Sequence, residues 1–347
     1  MNTIRMKTGS PPPIQFEHIQ SAHCENGVTT NLLRHSGLSK INEPLAFGIG
    51  SGLFYIQIPF LKVNNAPAFS YRTMPGLIFK RTCKSLGIPV ERKKFSSPEK
   101  AENFLNECLH SGQPVGCQVG VYYLTYFPKE YRFHFNAHNL IVYGRENGSY
   151  LISDPVMENV TTLSPPELQR VRFARGALAP RGQIYYPKAN TDVSDEVIRK
   201  AIIRGIKRNT RDMLYIPAGM VGIRGIRHTA KNILKWRTRL GAKTTGSYLA
   251  QLVRMQEEIG TGGGGFRFIY AAFLQQAYTY IPREELLKAS EQFTKAGDVW
   301  RSSAVQAAGI FKGRITAEKD FQDMANYLFE VAEIEKQAFK ALEKIRW

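Results

Sequence analysis

Cys24, His138 and Asp154 are the residues of this 347-residue chain whose types and spacing suit covalent chemistry. A cysteine attacks only as its thiolate, and a helix N-terminus favours that anion through its unpaired amides and dipole. Glu25 to Arg34, closed by Gly37, reads as a helix with Val28, Leu32 and Leu33 on one face, which places Cys24 at its start. An imidazole must then take the proton, and a third polar group must hold that ring in one tautomer. His138 begins the β-run His138-Asn139-Leu140-Ile141-Val142-Tyr143-Gly144, and Asp154 closes the next strand sixteen residues later. Two strands joined at the Asn147-Gly148 turn bring the start of one beside the end of the other, so an imidazole–carboxylate contact follows from the spacing. Taken singly, Cys24 also fits a small buried residue and His138 a core histidine. Cys83, Cys108 and Cys117 form no CxxC pair and read as core, so neither a metal site nor a disulfide framework is expected.

The elements that must position these residues change character along the chain. Phe47-Gly48-Ile49-Gly50-Ser51-Gly52 precedes an extended run, Leu53 to Leu61. A dinucleotide fingerprint needs the opposite order, so these glycines read as a tight, closely packed turn. Helices are expected at Pro75 to Leu86 and at Pro98 to His110, the latter capped by Ser97 with proline at its first position. Val115 to Phe127, Phe133 to Tyr143 and Tyr150 to Ser153 carry strand composition, and Pro165-Pro166 opens a helix to about Arg175. From Ser194 the pattern is helical, through Glu284 to Ala296 and Ala317 to Ile345. Pro180, Gly182, Pro187 and Asn190 break the periodicity between residues 178 and 194 and mark a domain boundary.

A chain that is 43% hydrophobic and 11% aromatic is neither disordered nor fibrous. Its formal charge is +18, and the 45 residues from Arg199 to Lys243 hold thirteen Lys and Arg against one acid, Asp212. That segment attracts a polyanion: nucleic acid, an anionic membrane surface or an acidic protein such as an acyl carrier protein. Only Tyr215 and Trp236 interleave it and no base-reading motif is present, so nucleic acid is disfavoured. Met1 to Ser10 is polar and Pro11-Pro12-Pro13 follows, with no run long enough for a signal peptide or span, so a cytoplasmic location is expected.

His23-Cys24 with its helix, Gly37, Glu43, the Phe47 to Gly52 run, His138, Tyr143-Gly144 and Asp154-Pro155 together resemble the N-terminal domain of butirosin biosynthesis protein H. That domain is related to papain-like cysteine peptidases. The resemblance extends through Glu258 to Gly264, Arg267 and Tyr270 to the uncharacterised C-terminal domain that often follows it. It implies an α+β fold: a papain-like domain over 1–185, with the cysteine helix packed on an antiparallel sheet, then a mostly helical acyl- or carrier-binding domain over 186–347. It also implies an acyltransferase of secondary-metabolite or lipid-like biosynthesis, with Cys24 as nucleophile, His138 as base and Asp154 as the orienting carboxylate. Papain-like enzymes place an oxyanion glutamine five or six residues before the cysteine, whereas here His18 stands six before and Gln20 four before. The expected donors are therefore the Cys24 amide with His18 or Gln20. His23 either tunes Cys24 or contacts substrate. The run Gly262-Gly263-Gly264 is either an anion nest for a phosphopantetheine phosphate, assisted by Arg267 or Tyr270, or a loop allowing close packing.

The reaction so implied moves an acyl group from a pantetheine thioester, on a carrier protein or coenzyme A, through acyl-Cys24 to an amine acceptor. No permanently bound cofactor or metal is called for. An acidic carrier would dock on 199–243, and peripheral membrane contact and a homodimer are both compatible with the sequence. Hydrolysis by the same triad, as a peptidase, amidase or thioesterase, is the alternative. A silent binding protein with an unreactive, buried Cys24 is the reading from another class.

Overall fold

The computed structural model describes residues 11–63, 65–188 and 193–347. Met1 to Ser10 and the boundary residue Asn190 lie outside the described residues. In chain order the elements are α1 (Cys24–His35), α2 (Glu43–Ile49), β1 (Leu53–Val63), β2 (Ala66–Arg72), α3 (Leu77–Ser85), β3 (Val90–Lys93), α4 (Pro98–His110), β4 (Val115–Val119), β5 (His138–Glu146), β6 (Ser149–Ser153) and β7 (Thr161–Leu163). They continue with α5 (Pro165–Arg172), β8 (Ile184–Pro187), α6 (Asp195–Leu214), α7 (Gly222–Val253), α8 (Arg267–Tyr280), α9 (Glu284–Phe311) and α10 (Glu318–Glu343). The fold class is α+β, with a cysteine-bearing helix and an antiparallel sheet followed by a mostly helical region.

The chain forms two compact units, one of Met1–Glu43 with Gly87–Val193 and the other of Pro44–Leu86 with Ser194–Trp347. A single boundary near residue 185 therefore does not describe it: residues 44–86 belong with the helical part. The reason is the period-two burial of β1, where Leu53, Tyr55 and Gln57 turn inward. A strand with one apolar face has to bury it, and this one does so on helices of the second unit. Tyr55 stacks on Trp300 of α9 at 5.8 Å and its hydroxyl lies 2.7 Å from Thr229 Oγ1 of α7.

The first unit holds a six-stranded sheet in the order β3-β8-β4-β5-β6-β7, antiparallel throughout. Leu140 and Val142 of β5, with Val115, Cys117 and Val119 of β4, share a core with Leu105 of α4 and Leu168 of α5. Helix α1 packs against β5, β4 and β8. The hairpin turn is as expected: Asn147 (φ 49°) and Gly148 (φ 81°) are both left-handed, as a two-residue hairpin loop requires. Ile141 then pairs with Ser153, which sets the end of β6 beside the start of β5.

The strand expected over Val115 to Phe127 stops at Val119, because the Gly120 N–H leaves the ladder for the Val171 carbonyl at 2.8 Å. Residues 121–137 instead form short 3₁₀ turns at Val121–Tyr123 and Lys129–Tyr131, although they are as aromatic as a strand. The same composition serves a covering loop as well as a sheet, because β-propensity reports a fit to a half-buried surface.

In the second unit, α7 reverses at Gly241, whose φ of 73° and ψ of 166° are not helical. Trp236 and Tyr248, on either side of it, meet edge-on at 5.4 Å, so the two halves form a helical hairpin. At the centre Arg267 and Glu335, both fully buried, pair at 2.7 and 3.0 Å, and Trp300 Nε1 donates to the same carboxylate at 2.9 Å. Among the described residues no helix is long and apolar enough to cross a membrane. Removing one partner of a buried pair strands the other charge. Glu335→Ala should therefore lower the unfolding free energy by about 3–5 kcal/mol, read as a reduced urea midpoint with unchanged slope. A near-wild-type midpoint would mean that the pair does not hold these helices.

Candidate active site

Helix α1 begins at Cys24 because the backbone before it is tied down. His23 is the N-cap, its ring Nδ1 accepting from the Asn26 amide at 3.3 Å. The Glu43 carboxylate accepts from the Ala22 and His23 amides at 3.0 and 2.9 Å. Ser21 donates its amide to the Pro155 carbonyl at 2.7 Å. Gly27, one turn into α1, permits this approach: a Cβ there would lie 2.3 Å from the Pro155 Cβ. The helix start and the Asp154-Pro155 turn are thus held in one place.

His138 Nε2 lies 2.7 Å from Asp154 Oδ2, and the ring is also hydrogen-bonded to Cys24. All three side chains are nearly enclosed, with Cys24 6%, His138 5% and Asp154 0% exposed. Burial by itself would depress the imidazolium, but the charges of Asp154 and Cys24 and the hydrogen bonds from both outweigh it and push the His138 pKa up to about 10. The pair's contribution to stability is therefore complete below the ordinary imidazole pKa and is lost as pH rises through about 10. A cysteine at a helix N-terminus beside an imidazolium is held toward thiolate. The other three cysteines lack such surroundings: burial pushes Cys83 up to about 12, Cys108 up to about 11, and raises Cys117.

Three further groups complete the site, none of them read from the sequence. Tyr126 donates its hydroxyl to Asp154 Oδ2 at 2.7 Å, the same oxygen that holds His138. Burial, then the charge of Asp154, hold that phenol well above its usual range, so it remains a donor. Phe127 meets the His138 ring edge-on at 5.4 Å. Asn139 places Nδ2 3.9 Å from Cys24 Sγ, its orientation set by a bond to the Ala137 carbonyl at 3.1 Å and by the Tyr185 hydroxyl donating to its Oδ1 at 2.7 Å. Strand alternation would send Asn139 to the face opposite its neighbour His138, so the sequence carries no signal for it, and nothing around Tyr126 distinguishes it from its aromatic neighbours.

The remaining site candidates have other occupations. Both ring nitrogens of His18 are engaged, with Ser153 Oγ at 2.8 Å and the Met157 carbonyl at 3.1 Å, so it braces the segment around Asp154. Gln20 is exposed. His23 is spent on capping. In the second unit, the Gly263 amide donates to Thr261 Oγ1 and the Gly264 amide to the Glu257 carboxylate, so the glycine run receives an anion from its own chain. Gly262 is exposed, while Arg267 is fully buried against Glu335 and Tyr270 is fully buried among aromatic rings. The loop serves close packing: a Cβ on Gly264 would lie 2.9 Å from the Gly297 Cα. These residues do not form a phosphate nest.

Two family models match the chain, divided between residues 155 and 166. Residues 166–342 match the family described as Domain of unknown function (DUF4872), and the chain belongs to that family. Residues 23–155 match the family described as Butirosin biosynthesis protein H, N-terminal. No curated protein matches the chain. Among solved structures, a Bacillus anthracis protein described as a C39-like peptidase is similar at 14% identity and a TM-score of 0.35, covering 52% of this chain and 98% of its own. The helix-borne cysteine, strand-borne histidine and buried carboxylate supply a nucleophile, a base and an orienting acid in hydrogen-bonded sequence.

Without the phenol, Asp154 Oδ2 turns wholly to His138 and its charge is less dispersed. Tyr126→Phe should therefore raise the pH at which the His138 ring loses its proton by roughly one unit, read by NMR titration of the ring nitrogens. An unmoved midpoint, in a variant whose circular dichroism is unchanged, would show that Tyr126 does not share that charge.

Proposed function

We propose that this chain is an acyltransferase that carries an acyl group from a pantetheine thioester, through acyl-Cys24, to an amine. The supporting observation is the enclosure of a charged site: Cys24, His138 and Asp154 are almost free of solvent contact. Exclusion of water favours transfer over hydrolysis. The family match at residues 23–155 supports biosynthetic chemistry of this kind.

In the first step Cys24 thiolate attacks the thioester carbonyl, forming the C–S bond of a tetrahedral intermediate. The intermediate collapses by breaking the bond to pantetheine, whose sulfur takes the proton from the His138 imidazolium. In the second step an amine attacks the acyl-Cys24 carbonyl and neutral His138 takes the proton that it sheds. Amide release then restores thiolate and imidazolium. Asp154 keeps the ring oriented throughout. The Cys24 amide, in the first turn of α1, and the Asn139 side chain, 3.9 Å from Cys24 Sγ, are the donors this reading assigns to the oxyanion. Pantetheine is substrate here, delivered by an acidic carrier protein that docks on the exposed cations of the Arg199 to Lys243 segment, or by coenzyme A.

Intact-protein mass spectrometry tests this directly. Wild type mixed with acyl-pantetheine or acyl-carrier donors should gain one acyl mass and Cys24→Ala none, and amines should discharge the adduct at least tenfold faster than water. Discharge at equal rates would make the chain a hydrolase with the same triad. Absence of any adduct would leave the acyl-cysteine reading without support.

A further inference from the structure

We propose that the second unit carries a cation-rimmed apolar tip that inserts into the surface of an anionic bilayer. In the β1–β2 hairpin Ile58 pairs with Ala68 and Lys62 with Pro67. Pro59, Phe60 and Leu61 consequently have no opposite residues and bulge out of the ladder. The bulge leaves Phe60 79% and Leu61 51% exposed, with Val63 38% exposed beyond them. Single apolar side chains on a surface are ordinary, whereas three large ones within four residues of one strand mark a contact site.

The cations come from the neighbouring helical hairpin. Lys62 turns back from the tip and donates to the Tyr248 hydroxyl at 2.6 Å, its ammonium 4.7 Å from that ring's centre. Tyr248 in turn meets Trp236. This chain of contacts sets the tip beside the reversal of α7 at Gly241, where Lys235, Arg237, Arg239 and Lys243 are exposed. Leu234 adds a fourth exposed apolar residue, at 38%. Among the described residues no carboxylate pairs with these four cations, although Arg199, Lys200, Arg208, Arg211 and Arg227 elsewhere in the basic segment do have partners.

The combination of side chains points to the partner: exposed Phe60 and Leu61 beside cations that no carboxylate among the described residues neutralises match a bilayer surface, which takes apolar side chains at the boundary of headgroups and chains and sets anionic headgroups around them. Lysines and arginines around such side chains meet anionic headgroups and make binding depend on salt and on lipid charge. This assignment does not rest on the acyl-transfer reading, and it leaves the rest of the basic segment to a carrier protein.

Vesicle sedimentation of the full chain tests it, with vesicles of phosphatidylcholine alone and of phosphatidylcholine mixed with phosphatidylglycerol. The wild type should sediment only with the anionic vesicles and progressively less with added salt. Phe60→Ser with Leu61→Ser, and separately Lys235→Glu with Arg239→Glu, should each weaken binding roughly tenfold or more, with unchanged circular dichroism because all four side chains are exposed. Absence of binding, equal binding to neutral vesicles, or unaltered binding by the Phe60/Leu61 variant would overturn the proposal. So would finding that these substitutions instead abolish a dimer of this chain or a complex with an acidic carrier protein.

Discussion

One carboxylate oxygen organises the first unit. Asp154 Oδ2 accepts from His138 and from Tyr126, each at 2.7 Å, at a position with no solvent exposure. A buried carboxylate is tolerated only when it is paired and hydrogen-bonded. The surrounding architecture supplies those partners: the β5–β6 hairpin brings Asp154 to His138, the loop over residues 121–137 lowers Tyr126 onto it, and Gly27 lets α1 approach its turn closely. The charge stabilised there reaches Cys24 through the imidazolium. Fold and chemistry in this unit therefore depend on the same interaction.

The meeting of Cys24, His138 and Asp154 was legible because its determinants are local. A turn of Asn147-Gly148, two short strands and a helix start fix three side chains, and each carries a sequence signature of its own. Offset from the cysteine points to His18 and Gln20 as oxyanion donors, but an offset says nothing about which side chain reaches the site. His18 instead bonds Ser153 and Met157. Asn139 reaches Cys24 because α1 packs against β5, and Tyr126 reaches Asp154 because the chain leaves the sheet at Gly120. Both facts are tertiary, decided by packing across elements distant in sequence.

The division of the chain failed to show in the sequence for a related reason. The extended run Leu53 to Leu61 reads as part of the first domain, but Tyr55 in it, with Tyr71 of β2, completes an aromatic core with Trp300, more than two hundred residues away. Likewise the glycine run suggests an anion site until Glu257 is seen to occupy its amides and Glu335 to hold Arg267. Composition marks a segment as able to bind an anion; only the fold shows that the anion is its own. The helical hairpin at Gly241 is similarly invisible in a continuous helical pattern, since a single glycine within a helix usually stays helical.

The account stands or falls on the charge state of His138. A heteronuclear NMR titration of its ring nitrogens in the full chain measures that state without any substrate. Both nitrogens should remain protonated through neutrality and the ring should titrate near pH 10, while Asp154→Asn should bring the midpoint down toward the ordinary imidazole value of 6.5. A wild-type midpoint at or below 6.5 would contradict the ion pair on which the site is built.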